Sequence, residues 1–160
     1  NWGKVLETLS MVDAAQERGL DVLLDQYPYS AYQTGLATIA LPYWANAGTP
    51  AALAVRLSDS QTRAQIRAAM EGLVDWSAVE IATCQAHREY QGRRISDLAT
   101  AQDKDPRDFV LDLLAASDTF VAAAHFAMSD EDIERVMSDT RVMIGSDAVA
   151  IRPNGPASED

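Results

Sequence analysis

Apolar residues recur at helical spacing near the start of the chain. Val5, Leu9 and Val12 stand at i, i+4 and i+7, with Leu6 and Ala15 beside them. The pattern predicts an amphipathic helix, and Gly19 stands where a helix-terminating glycine belongs. The run Asp21-Val22-Leu23-Leu24-Asp25 predicts a short, buried parallel strand. Tyr27-Pro28-Tyr29 ends it, because proline cannot continue a central ladder. Residues 30–48 have no clear period and carry Gly35, Pro42 and Gly48, so they read as a loop with one short helix over residues 36–41. Thr49-Pro50 pairs an N-cap with a first-turn proline and opens a helix through Leu57. A further helix covers residues 60–71, with Ile66 and Met70 at i and i+4.

Val79 and Ile81 alternate with polar neighbours and mark a strand within residues 77–84. A short helix is expected over residues 95–101. Asp105-Pro106 opens another, which carries Phe109, Val110, Leu113 and Leu114. Residues 120–126 are apolar enough for a strand. Ser129-Asp130-Glu131-Asp132 is a capping box with acids at the positive helix end, ahead of Ile133, Val136 and Met137. Val142-Met143-Ile144 predicts a last strand running into Gly145-Ser146-Asp147. Helix, strand, a long mostly helical stretch, helix and strand make an α/β order. A connection of roughly a hundred residues between two strands points to a functional insertion such as a lid.

Composition narrows the possible partners. The 160 residues suffice for about one domain. With 13 Lys+Arg against 24 Asp+Glu, the net charge of -11 repels phosphate, which excludes nucleic acid and anionic membranes as partners. A hydrophobic content of 48% excludes wholesale disorder. One cysteine, Cys84, excludes an intrachain disulfide framework and reads as inert. Two separated histidines, His87 and His125, form no metal-ligand motif, so a self-contained zinc site is not expected.

Asp147 is the leading candidate for chemistry. It closes an apolar strand after two small residues, and ligands of parallel α/β proteins sit at the carboxyl ends of strands. A carboxylate there can bind a metal or take a proton from water; the structural alternative is a plain turn cap. Tyr27 ends the other parallel strand, where its hydroxyl can steady an oxyanion or its ring can pack on Pro28. Tyr29 reads as packing. His125, in Ala124-His125-Phe126-Ala127-Met128, is either a satisfied core histidine or part of a pocket wall with Met128. His87 reads as a surface residue.

Four stretches together carry a resemblance: Asn1-Trp2-Gly3-Lys4, Asp25-Gln26-Tyr27-Pro28-Tyr29, Leu41-Pro42-Tyr43-Trp44-Ala45 and Met143-Ile144-Gly145-Ser146-Asp147. In this order the chain resembles the N-acyl-D-amino-acid deacylase (D-aminoacylase) family of the amidohydrolase superfamily. Gly92-Arg93-Arg94-Ile95-Ser96-Asp97-Leu98-Ala99, Asp105-Pro106 and Arg152-Pro153-Asn154-Gly155-Pro156 suit the same pattern. The resemblance implies a metal-dependent TIM-type barrel. Such a barrel needs about 250 residues, so the chain is expected to be a fragment of one. Residues 1–29 are then a barrel helix and the seventh strand. Residues 30–128 are a mostly helical active-site insertion. Residues 129–160 are a barrel helix, the eighth strand and the following loop.

The same resemblance implies zinc-dependent hydrolysis of an N-acyl-D-amino acid to a carboxylate and a free D-amino acid, in the cytoplasm. Asp147 then contacts the metal centre and carries the proton. Tyr27 contacts substrate, and His125 and Met128 line the substrate side-chain pocket. The remaining metal ligands of the family fall outside the chain, so the fragment is expected to be inactive and to bind little or no zinc. Uncovered strand edges and apolar faces are expected to pack on the insertion or to pair with a second copy of the fragment. The rival readings are an amidohydrolase acting on cyclic amides, of the dihydroorotase or hydantoinase kind, and a non-catalytic oligomerisation or lid module.

Overall fold

The structure is a computed structural model that describes residues 2–117 and 120–148. Asn1 and the segment Arg152-Pro153-Asn154-Gly155-Pro156, both part of the resemblance, lie outside the described residues. The chain divides into two compact units, one made of residues 1–30 with 128–160 and one of residues 31–127. Among the described residues, no helix is long and apolar enough to cross a membrane.

In the first unit, α1 (Val5–Glu17) buries Val12 and half-buries Val5 and Leu9, the stripe read from the sequence. Gly19 ends the helix at φ +82. Its N–H donates to Gln16 O (2.8 Å) and the Leu20 N–H to Ala15 O (3.2 Å), so two otherwise open helical carbonyls are satisfied. β1 (Leu24–Gln26) pairs in parallel with β5 (Val142–Ile144), with Leu24 opposite Val142 and Gln26 opposite Ile144. The strand begins later than its apolar run and is not buried: Leu23, just before it, is 62% exposed, and Ile144 is 64% exposed. A two-stranded sheet has two edges and too little width to bury both faces.

α8 (Asp130–Met137) starts at Ser129, whose Oγ accepts from the Asp132 N–H at 3.4 Å. The Asp132 carboxylate accepts from the Gly3 N–H at 2.7 Å, which ties the chain start to this helix. Arg141 forks onto Asp139 (2.8 and 2.6 Å) and reaches Asp13 (2.6 Å) and Gln16 (3.2 Å) on α1. Its own carbonyl accepts from the Leu24 N–H, the rung that starts the parallel pair.

The second unit is built on a three-stranded antiparallel sheet of order β2-β4-β3, formed by β2 (Tyr32–Gly35), β3 (Val79–Thr83) and β4 (Ala122–His125). Ala122 and Ala123 of the central strand are buried. The helices are α2 (Leu36–Ala40), α3 (Tyr43–Asn46), α4 (Pro50–Ser58), α5 (Ser60–Ala69), α6 (Ile95–Ala101) and α7 (Pro106–Ala116). Their starts follow the capping logic: Thr49, Asp59 and Asp105 side chains accept from Ala52, Thr62 and Arg107 N–H groups.

One core cluster, including Leu36, Ile66, Ile81, Leu98, Leu111 and Ala123, lies wholly within this unit. At its surface Arg67 pairs with Asp105 and Asp108, and Arg107 with Asp105 and Glu71, which clamps α5 against α7. The Arg107 guanidinium holds the Asp105 carboxyl far below its ordinary value. β2 is a departure from the expected loop. Tyr-Gln-Thr-Gly carries no apolar alternation, and its pairing with β4, which sequence spacing does not show, makes it a strand.

Candidate functional site

β1 and β5 run parallel and in register, so the residues that follow them leave the same end of one sheet. Tyr27 is one residue past β1. The Gly145 N–H donates to Gln26 O (3.1 Å) as the last rung, and Asp147 comes two residues later. The structure thus brings Tyr27 and Asp147 to one strand end, the carboxyl end of a parallel pair, where ligands of α/β proteins bind.

Asp147 is exposed and has a left-handed backbone, φ +51. Aspartate tolerates that region at a modest cost, and such strain gathers at functional turns. Next to it the Ala148 N–H donates to Ser146 Oγ at 3.3 Å. A second carboxylate shares this end: Asp25 Oδ2 lies 3.8 Å from where a side chain on Gly145 would begin. Sequence reading does not single out Asp25, which the structure places at the centre of β1.

Tyr27 is half-buried, and its ring lies 6.1 Å from that of Tyr29 at 30°. The Gln26 side-chain amide donates to Tyr27 O at 2.7 Å and steadies the turn. Met128 is half-buried, and its N–H donates to Ser30 O at 3.1 Å.

His125 belongs to the second unit, at the end of β4. Tyr32 stands directly across from it on β2, with the hydroxyl 2.9 Å from His125 Nδ1 and the rings edge to face at 5.3 Å. Burial lowers the His125 pKa below its ordinary value, and the nearby Asp75 carboxylate partly opposes this. Burial thus disfavours the charged form of His125. Tyr32 was missed by sequence reading and has no local signal, because it meets His125 only through strand register. His87 is part-exposed, pairs with Glu89 at 3.0 Å and stacks on Tyr90 at 4.7 Å. Cys84 is buried.

The second unit also holds a cavity of about 420 Å3, lined by Thr38, Asn46, Thr49, Leu53, Leu114 and Phe120 among others. Among the described residues no ionisable side chain lines it, so those residues offer room for an apolar group and no proton carrier.

No family model matches the chain. Over 151 residues it is 28% identical to a D-aminoacylase of Alcaligenes xylosoxydans xylosoxydans, an alignment that covers 93% of this chain and 23% of that protein. The chain is a homologue of D-aminoacylase. A crystal structure of N-acyl-D-glutamate deacylase from Bordetella bronchiseptica, complexed with zinc and a phosphonate mimic of the reaction's tetrahedral intermediate, matches with a TM-score of 0.59. The identity is 26%, over 92% of this chain and 23% of that one. A D-aminoacylase structure that defines a novel subset of amidohydrolases matches with a TM-score of 0.56 at 26% identity, over 92% of this chain and 23% of that chain. The mixed α/β fold is thus that of a D-aminoacylase segment, and the chain spans about a quarter of the length of the curated relatives it matches.

Among the described residues of this D-aminoacylase homologue, no group of three His, Cys, Asp or Glu converges to hold a metal ion. Zinc in a catalytic site takes three protein donors and a water, whereas Asp147 offers one carboxylate. The described residues by themselves do not fit a zinc centre.

Proposed function

We propose that the chain is part of a zinc-dependent amidohydrolase that cleaves N-acyl-D-amino acids to a carboxylate and a free D-amino acid, acting in the cytoplasm. The reading takes residues 1–29 and 129–160 as the last helices and strands of a TIM-type barrel, and residues 30–128 as a mostly helical lid. The observation that carries it is the parallel β1–β5 pair, from whose shared carboxyl end Tyr27 and Asp147 emerge. Homology to two deacylases across nearly the whole chain supports the same reaction class.

The chemistry derived from this chain stays with its own side chains. Asp147 is the base that takes a proton from the attacking water and returns it to the leaving amine. The Tyr27 hydroxyl donates to the oxygen that becomes negative as the amide carbonyl turns tetrahedral. His125 and Met128 contact the substrate side chain. Zinc belongs to the full-length enzyme, where Asp147 is one ligand among others supplied from outside this chain. The 160-residue chain alone is then inactive and binds zinc weakly or not at all.

The test is zinc-supplemented hydrolysis of N-acetyl-D- and N-acetyl-L-amino acids by the full-length protein, with Asp147→Asn alongside. Turnover confined to D-substrates, and reduced by 100-fold or more in the variant (roughly the lower bound for a general base), is the expected outcome. Zinc binding without hydrolysis of either enantiomer overturns it in favour of a cyclic-amide substrate. Neither zinc nor turnover leaves a non-catalytic module.

A further inference from the structure

The two histidines of the chain have opposite hydrogen-bond partners at the same ring nitrogen. His87 Nδ1 faces Glu89 Oε1 at 3.0 Å, and a carboxylate only accepts, so His87 carries its proton on Nδ1. His125 Nδ1 faces the Tyr32 hydroxyl at 2.9 Å. A phenol is a far stronger hydrogen-bond donor than a neutral imidazole N–H, and a bare imidazole nitrogen is a far stronger acceptor than a phenol oxygen. The favoured arrangement therefore has Tyr32 donating and His125 Nδ1 accepting.

We propose that Tyr32 is a positioning residue for His125: it locks the imidazole as the Nε2–H tautomer and makes His125 a hydrogen-bond donor to a carbonyl or carboxylate oxygen on the substrate side chain.

The surroundings agree. Tyr32 and His125 are direct cross-strand partners, so the fold sets their spacing rather than a flexible loop. On its other side His125 is opposite Val79, and the next residue, Phe126, donates its N–H to Ala78 O, which fixes the strand end. Burial disfavours the charged ring. The facing carboxylate, Asp75, is itself held by the Ser77 N–H (3.0 Å) and hydroxyl (2.7 Å), so it acts on His125 through its field alone.

The inference rests on the deacylase reading for its ligand, though not for its tautomer. Long-range 1H–15N correlation on the 15N-labelled chain reads both histidines in one spectrum. Near pH 7, His125 is expected to be protonated on Nε2 and His87 on Nδ1, each a control for the other. Tyr32→Phe is expected to turn His125 into a tautomer mixture while the backbone amides of β3 and β4 keep their shifts. A wild-type His125 protonated on Nδ1, or a pure Nε2–H tautomer that survives Tyr32→Phe, overturns the proposal. If that variant fails to fold, the wild-type assignment alone decides.

In the full-length enzyme, Tyr32→Phe should raise KM about five-fold for N-acetyl-D-glutamine and N-acetyl-D-glutamate, with kcat unchanged and N-acetyl-D-leucine unaffected. An effect on glutamine alone identifies the carbonyl as the ligand group, and one on glutamate alone the carboxylate. An equal loss on all three substrates overturns the ligand half. Absence of any amide hydrolysis overturns the deacylase reading and that half with it, whereas an Nδ1–H tautomer in an active enzyme overturns only this proposal.

Discussion

The two units differ most in what they bury. The unit of residues 31–127 holds a continuous core in which Leu36, Ile66, Ile81, Ile95 and Leu111 are fully enclosed. In the unit of residues 1–30 and 128–160, only Val12 and Ile133 are buried among the described residues, while Trp2, Met11, Leu23 and Ile144 are more than half exposed. One unit has the apolar volume to stand alone. The other is held by a three-rung parallel pair, caps and the Arg141 fork, and it leaves its apolar faces and sheet edges open. The candidate residues are divided between the units: Tyr27 and Asp147 occupy the poorly packed one, and His125 with Tyr32 the well-packed one.

The contrast makes its largest prediction in the core. Leu111→Ala should cost about 3 kcal/mol of unfolding free energy, whereas Leu23→Ala, at an exposed position, should stay within about 0.5 kcal/mol. Urea denaturation followed by circular dichroism measures both, and equal losses would erase the distinction between the units. A smaller effect is expected at a helix start: Thr49→Ala removes the acceptor for the Ala52 N–H and should cost about 1 kcal/mol on the same assay. No change there would mean that packing alone holds α4.

The smallest effect concerns acid. The Arg141 guanidinium holds the Asp139 carboxyl at about 2, below the ordinary 3.8. A carboxylate depressed in the fold contributes its full stability above the ordinary value and loses it as pH falls from 3.8 towards about 2. Following the Asp139 carboxyl carbon by NMR should show this low midpoint, and Arg141→Gln should return it towards 3.8. A midpoint already at the ordinary value in the wild type would show that the fork does not hold in solution.

Local signals were legible in the sequence, and register was not. Thr49-Pro50, Asp105-Pro106, Ser129 and Gly19 each mark a helix end by chemistry confined to a few residues, and the helix over residues 95–101 was read to its last residue. Tyr27 and Asp147 could be read as strand-end residues because Pro28 and Gly145 stop their strands locally. β2 could not, since only its partner across the sheet makes Tyr-Gln-Thr-Gly a strand. The Tyr32–His125 contact joins residues 93 positions apart and follows from that same pairing. Convergence of side chains around Asp147 or Met128 leaves no periodic trace in a sequence.

The hydrogen bond from the Met128 N–H to Ser30 O has a consequence for how such a chain can change over time. It places the last residue before the long middle segment beside the first residue after it, within one unit. The β1–β5 pair and the Met128–Ser30 hydrogen bond both lie within the unit of residues 1–30 and 128–160. A segment anchored in this way can be lengthened, shortened or exchanged by recombination while the strand pair that presents Tyr27 and Asp147 stays intact.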